Sequence, residues 1–126
     1  METKYFRSKY NRSIHGVIWK DTIKDLGVNV YDVIVPCELA VIFGGVFENP
    51  SAFTDMLTVV FYRGEPWDDK ADLYDRDHDL WLATHNKRNK IWTSILEYYF
   101  DEMVDLTGLN AQESADKIRK TVETYQ

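Results

Sequence analysis

The chain is poor in the residues that announce a specific chemistry. It has one cysteine, Cys37, in 126 residues. No internal disulfide can form, and a reducing cytoplasm is the expected compartment. The N-terminus, Met1-Glu2-Thr3-Lys4-Tyr5-Phe6-Arg7, has no apolar stretch of the kind a secretory signal needs. The longest apolar run, Leu39 to Phe47, is interrupted by Gly44 and Gly45. A spanning helix needs about 20 apolar residues, so no membrane is expected as a partner. Gly44-Gly45 lacks the Lys-Ser/Thr of a phosphate loop and the third glycine of a dinucleotide fingerprint. It reads instead as a bulge, a tight turn or close helix packing. Asp75-x-Asp77-x-Asp79 opens like a calcium loop, but its sixth and twelfth positions hold Leu80 and Asn86 in place of Gly and Glu. His78 and His85 have no helical zinc spacing and no cysteine beside them. Neither metal nor cofactor is expected.

Bulky apolar surface is plentiful. Four Trp, eight Tyr and six Phe make 14% of the chain aromatic. Such content opposes disorder, and the length suits one domain, residues 1–126. Linkers, repeats and low-complexity tracts are absent. The net charge is −6, which makes the chain a poor generic ligand for nucleic acid. The charge is also uneven. Lys4, Arg7, Lys9, Arg12, Lys20 and Lys24 face only Glu2, Asp21 and Asp25 in the first 25 residues, a local +3 that leaves −9 for the rest.

Periodicity is clearest at the C-terminal end. Ile91, Trp92, Ile95, Leu96, Tyr99, Met103 and Leu106 recur at three- and four-residue steps, which predicts a helix from about Lys87 to Thr107 with Gly108 as its cap. Asn110 and Glu113 have capping-box spacing, and Ala111, Ala115, Ile118, Val122 and Tyr125 form a second stripe. Together they predict an αα-hairpin. Residues 13–26, closed by Gly27, also read as a helix, with Ile14, Val17, Ile18, Trp19, Ile23 and Leu26 on its apolar side. Val28–Val35, Leu39–Phe47 and Met56–Tyr62 have strand composition, and Asp79–Thr84 reads as a further short strand. Phe53, Met56, Leu57, Val60 and Phe61 fit a helical stripe as well. The expected fold is therefore α+β, a small antiparallel sheet packed against the C-terminal αα-hairpin, with an all-α bundle as the alternative.

Three groups of residues can carry function. Cys37 can be a thiol nucleophile if folding brings His15, His78 or His85 to it. Its flanks, Val33-Ile34-Val35 and Leu39-Ala40-Val41, are uniformly apolar, which favours a core cysteine. Lys4, Arg7, Lys9 and Arg12 alternate with Tyr5, Phe6 and Tyr10, a mixture suited to phosphates and bases. The bland reading packs those rings on the core. The acidic residues are the most informative. Asp68, Asp69, Asp72, Asp75, Asp77 and Asp79 crowd one segment that also holds Trp67 and Tyr74. Glu97, Asp101 and Asp105 fall at i, i+4 and i+8 of the predicted helix, where like charges repel. Helix stability gives no reason for that spacing. A regular acidic face with exposed aromatics can imitate nucleic-acid phosphates.

In size, charge and aromatic content the chain resembles small acidic proteins of phages and mobile elements, including anti-restriction and anti-CRISPR inhibitors. That resemblance rests on no motif. The expectation is a non-enzymatic, cytoplasmic protein that binds a basic protein surface, such as a nucleic-acid-handling enzyme, and blocks it. A Cys37 enzyme and a nucleic-acid-binding module built on the N-terminal segment are the alternatives. The aromatic content suits a homodimer interface and a tightly filled core equally.

Overall fold

The computed structural model describes residues 1–7, 16–44, 50–63 and 97–126. Five strands form one sheet: β1 (Thr3–Phe6), β2 (Val30–Tyr31), β3 (Leu39–Phe43), β4 (Leu57–Tyr62) and β5 (Glu102–Asp105). Their order is β2-β1-β3-β4-β5, and every neighbouring pair is parallel. Helix α1 (Gly16–Leu26) lies between β1 and β2, a 3-10 turn (Pro50–Phe53) precedes β4, and helix α2 (Ala111–Glu123) follows β5.

Both faces of the sheet are covered, as parallel sheets require. Leu39, Val41 and Phe43 of β3 alternate with Ala40 and Ile42, and all five are buried. On one face Leu39, Val41, Phe43, Val59, Phe61 and Leu106 pack against Trp19 of α1 and Ile118 and Val122 of α2. On the other, Phe6, Ala40, Ile42 and Val60 pack against Phe53 and Phe100, with Ile34, Val35 and Cys37 at the margin. The chain thus leaves β1 through the first face, and the connections that flank β3 run on the second.

The expected α+β fold with an antiparallel sheet is overturned: the sheet is all-parallel and the fold is α/β. The all-α bundle falls with it. The physical signal was the unbroken apolar run of β3, since strands buried on both faces lose polar alternation. The first helix of the expected αα-hairpin is also corrected from residue 100 onward; its residues 87–96 lie outside the described residues. Helical backbone occupies residues 97–99 and ends there, and β5 begins at Glu102. Met103 joins one core cluster and Val104 the other, which is strand alternation. Gly108 (φ 82°) therefore bends the link from β5 to α2 and caps no helix.

Other expectations hold. Helix α1 ends at Leu26, and Gly27 (φ 66°) donates its N–H to Ile23 O at 3.1 Å. Asn110 and Glu113 form the expected capping box of α2. Ala115, Ile118 and Val122 are buried beneath it. Val28–Val35 contributes only the two-residue β2, and Leu39–Phe47 contributes β3 as far as Phe43. Asp79–Thr84 lies outside the described residues.

Candidate functional site

Most of the expected acidic surface, Asp68, Asp69, Asp72, Asp75, Asp77, Asp79, Trp67 and Tyr74, lies outside the described residues. So do His15, His78 and His85, the proposed partners of Cys37. Glu97, Asp101 and Asp105 are described, and all three are exposed. They do not share a helix face. Asp101 precedes β5 and Asp105 ends it, so an extended strand at about 3.3 Å per residue carries them about 13 Å apart, to opposite edges of the sheet.

Asp101 serves the fold. Its Oδ2 accepts from Thr58 N at 2.9 Å and from Thr58 Oγ1 at 3.0 Å, and its own N–H donates to Thr58 Oγ1 at 3.0 Å. Thr58 is buried, so this carboxylate satisfies donors at the start of β4 that water does not reach.

The charges of Glu97 and Asp105 both reach Tyr62. Asp105 pairs with Tyr62 across the β4–β5 ladder. Burial pushes the Tyr62 phenol above its usual range, and the charges of Asp105 and then Glu97 push it further. Asp105 is held in place, since its Oδ1 accepts from Thr107 N at 2.8 Å and from the Thr107 hydroxyl. Tyr98, next to Glu97 in sequence, is 81% exposed and meets Tyr99 edge-on with centroids 4.9 Å apart. The result is an acidic corner at the carboxyl ends of β4 and β5, with an exposed ring beside it. Sequence reasoning missed Tyr62 because its pairing with Asp105 depends on strand register.

The two edges of the sheet differ in charge. At the amino edge Glu2 precedes β1, Glu38 precedes β3 and Asp101 precedes β5. Glu38 accepts the backbone N–H of Glu2 at 2.9 Å. At the carboxyl edge the three central strands run out into Arg7, Gly44 and Arg63, while the outer strands end beside Asp32 and in Asp105. Arg7 and Arg63 follow strand residues that point away from the first face, so both fall on the side of α1 and α2. Arg63 donates from Nη1 to Ser114 Oγ at 3.2 Å and from Nη2 to Leu109 O at 2.7 Å, tying β4 to the start of α2.

Cys37 is half-buried; its thiol lies 3.4 Å from Leu39 O and 3.7 Å from Met56 Sδ. Burial raises its pKa against the opposing pull of Lys4. A protonated thiol is a weak nucleophile, which favours the packing role. In the basic N-terminal segment Phe6 is fully buried and Tyr5 stacks on Phe43 at 5.9 Å, so these rings belong to the core. Tyr10 lies outside the described residues. Among the described residues no three His, Cys, Asp or Glu side chains gather as metal ligands, and no helix is long and apolar enough to cross a membrane. Comparison with protein-family models, with curated proteins and with solved structures finds no match to this chain.

Proposed function

We propose that the protein is a non-enzymatic binding protein that engages a basic protein surface through the acidic corner formed by Glu97, Asp105 and the exposed Tyr98. The observations that carry this reading are the exposed Asp105 opposite Tyr62 at the end of β5, and the exposed Glu97 next in sequence to a tyrosine left 81% exposed. A tyrosine ring offers a large, stiff contact area at low entropic cost. Neighbouring carboxylates steer a cationic partner toward it and set the register of docking. The Asp-rich sequence from Asp68 to Asp79 adds charge of the same sign. A basic channel on a nucleic-acid-handling enzyme has the matching chemistry, and blocking it in the cytoplasm is the role, as in the phage and mobile-element inhibitors the chain resembles in size and charge. Asp101 is excluded from the contact set by its bonds to Thr58.

The test begins with co-purification from the native host. The retained protein, once purified, is titrated against the full chain at rising ionic strength. Affinity is expected to fall with salt and to drop about tenfold in the Glu97→Gln/Asp105→Asn double variant. Tyr98→Ala weakens it further. Binding indifferent to salt and to all three substitutions sinks the reading.

A further inference from the structure

A cavity of about 160 Å³ opens between the C-terminal ends of the two helices, on the face of the sheet that α1 and α2 cover. Tyr5 of β1 lines it, and Leu26, Val28, Ile118 and Val122 give it apolar walls. An apolar space of that size holds a body about as large as a benzene ring. Arg119, Glu123 and Gln126 line it too, and all three are exposed to solvent.

The donors of this set are committed elsewhere. Arg119 gives Nη1 to Asp116 Oδ1 at 3.1 Å and Nη2 to Asp25 O. Gln126 gives Nε2 to Thr3 Oγ1 at 2.7 Å. The acceptors are not committed. The Glu123 carboxylate, the Gln126 amide oxygen and the Tyr5 hydroxyl have no hydrogen-bond partner among the described residues. The helix ends act in the same sense. Leu26 closes α1 and Glu123 closes α2, so the cavity lies beside the negative ends of two helix dipoles. Lys24 and Lys120 occupy the last turns of these helices, and neither lines the cavity. An alkylammonium carries three N–H donors and no acceptor, which answers such a set of oxygens.

We propose that this cavity binds a small primary amine in its ammonium form, with an apolar body between the walls and the charged nitrogen at Glu123, Gln126 and Tyr5. The site shares no residue with the acidic corner of Glu97, Tyr98 and Asp105, and it stands or falls independently of that reading.

The full chain, labelled with 15N, is titrated at neutral pH with benzylamine, benzyl alcohol and benzoate, which share a ring and differ in charge. The expected result is saturable movement of the Tyr5, Val28, Ile118 and Val122 amides at about millimolar benzylamine, since so small a body binds weakly. Benzyl alcohol should bind at least about threefold more weakly, and benzoate more weakly still. Glu123→Gln should weaken benzylamine about threefold, the scale of one partly exposed charge pair, and leave benzyl alcohol unchanged. Asp21→Asn, on the exposed side of α1, removes the same charge away from the cavity and should change nothing. Val28→Phe should fill the space and abolish binding of both. The proposal is overturned if the wild-type amides do not move saturably, if the movement centres elsewhere, or if benzyl alcohol or benzoate binds as tightly as benzylamine. It is overturned equally if Asp21→Asn weakens binding as much as Glu123→Gln, or if a folded Val28→Phe binds like the wild type. The wild-type shift map and the ligand comparison decide the question even if Val28→Phe fails to fold.

Discussion

Gly44 leaves β3 with φ 46°, and a Cβ built on it would lie 3.1 Å from the Trp19 indole. Two separate costs therefore meet at one position. A left-handed backbone costs an L side chain about 1–2 kcal/mol, and the indole cannot retreat, because Trp19 is 3% exposed and packs on Phe43 at 5.6 Å. Gly27 isolates the first cost: its φ is 66°, with nothing within 4 Å of a built Cβ. Urea unfolding should show Gly27→Ala losing about 1 kcal/mol and Gly44→Ala losing at least about twice that. Equal losses would mean that the Trp19 contact is soft. The sequence marks Gly44-Gly45 as a place of tight turning or close packing, and Gly44 is one. It does not reveal that the neighbour is Trp19, because that contact joins α1 to the end of β3 across the fold. Asp101 shows the same limit. Its spacing from Glu97 suggests a shared face, and only the register of β5 against β4 gives it to Thr58.

Helix α2 is the element most fully legible from sequence, because its signals are local. Asn110 Oδ1 accepts from Glu113 N at 2.8 Å, and Asn110 N donates to Glu113 Oε1 at 3.1 Å. Truncating Asn110 leaves Glu113 N without its side-chain acceptor, while the backbone N–H at position 110 keeps Glu113 Oε1. Asn110→Ala should cost about 1 kcal/mol, read as a lower urea midpoint at unchanged slope. Glu113→Ala should cost only part of that, since the Asn110 side chain still caps the N–H at position 113. A midpoint unchanged by Asn110→Ala would mean that packing through Ile118 and Val122 alone sets the helix start. β5 was illegible for the opposite reason. It has four residues, too few to display a period of two against the helical steps that Tyr99, Met103 and Leu106 happen to match. Strand direction was hidden as well, because it is set by how connections cross the faces and not by the strands' own composition. The one available sign was β3, apolar at every position, which indicates cover on both faces.

At the scale of the molecule, the same burial that closes both faces of the sheet makes the fold sensitive to alkali. Tyr5, beneath α1 and α2, and Tyr62, opposite Asp105 on the β4–β5 ladder, have phenols raised above their usual range, chiefly by burial. Cys37, on the opposite face, is raised for the same main reason. A group with a raised folded pKa holds its proton more tightly in the folded chain than in the unfolded one. Its contribution is complete below the unfolded pKa and disappears as pH climbs through the folded value. For thiols and phenols that window opens above about pH 8.5–10. The melting temperature should therefore hold steady through neutral pH and fall on the alkaline side. Repulsion among the carboxylates grows there too as lysines lose charge, so the variants are needed to separate the causes. Tyr5→Phe and Tyr62→Phe remove the ionising oxygens with little change of shape and should each flatten the alkaline fall. Glu97→Gln/Asp105→Asn should flatten only the smaller, charge-driven part of the share owed to Tyr62, because burial remains its main cause and those carboxylates are not among the causes at Tyr5. An alkaline fall identical in the wild type and in the Tyr5→Phe/Tyr62→Phe double variant would assign the effect to net charge and remove the buried phenols from the account.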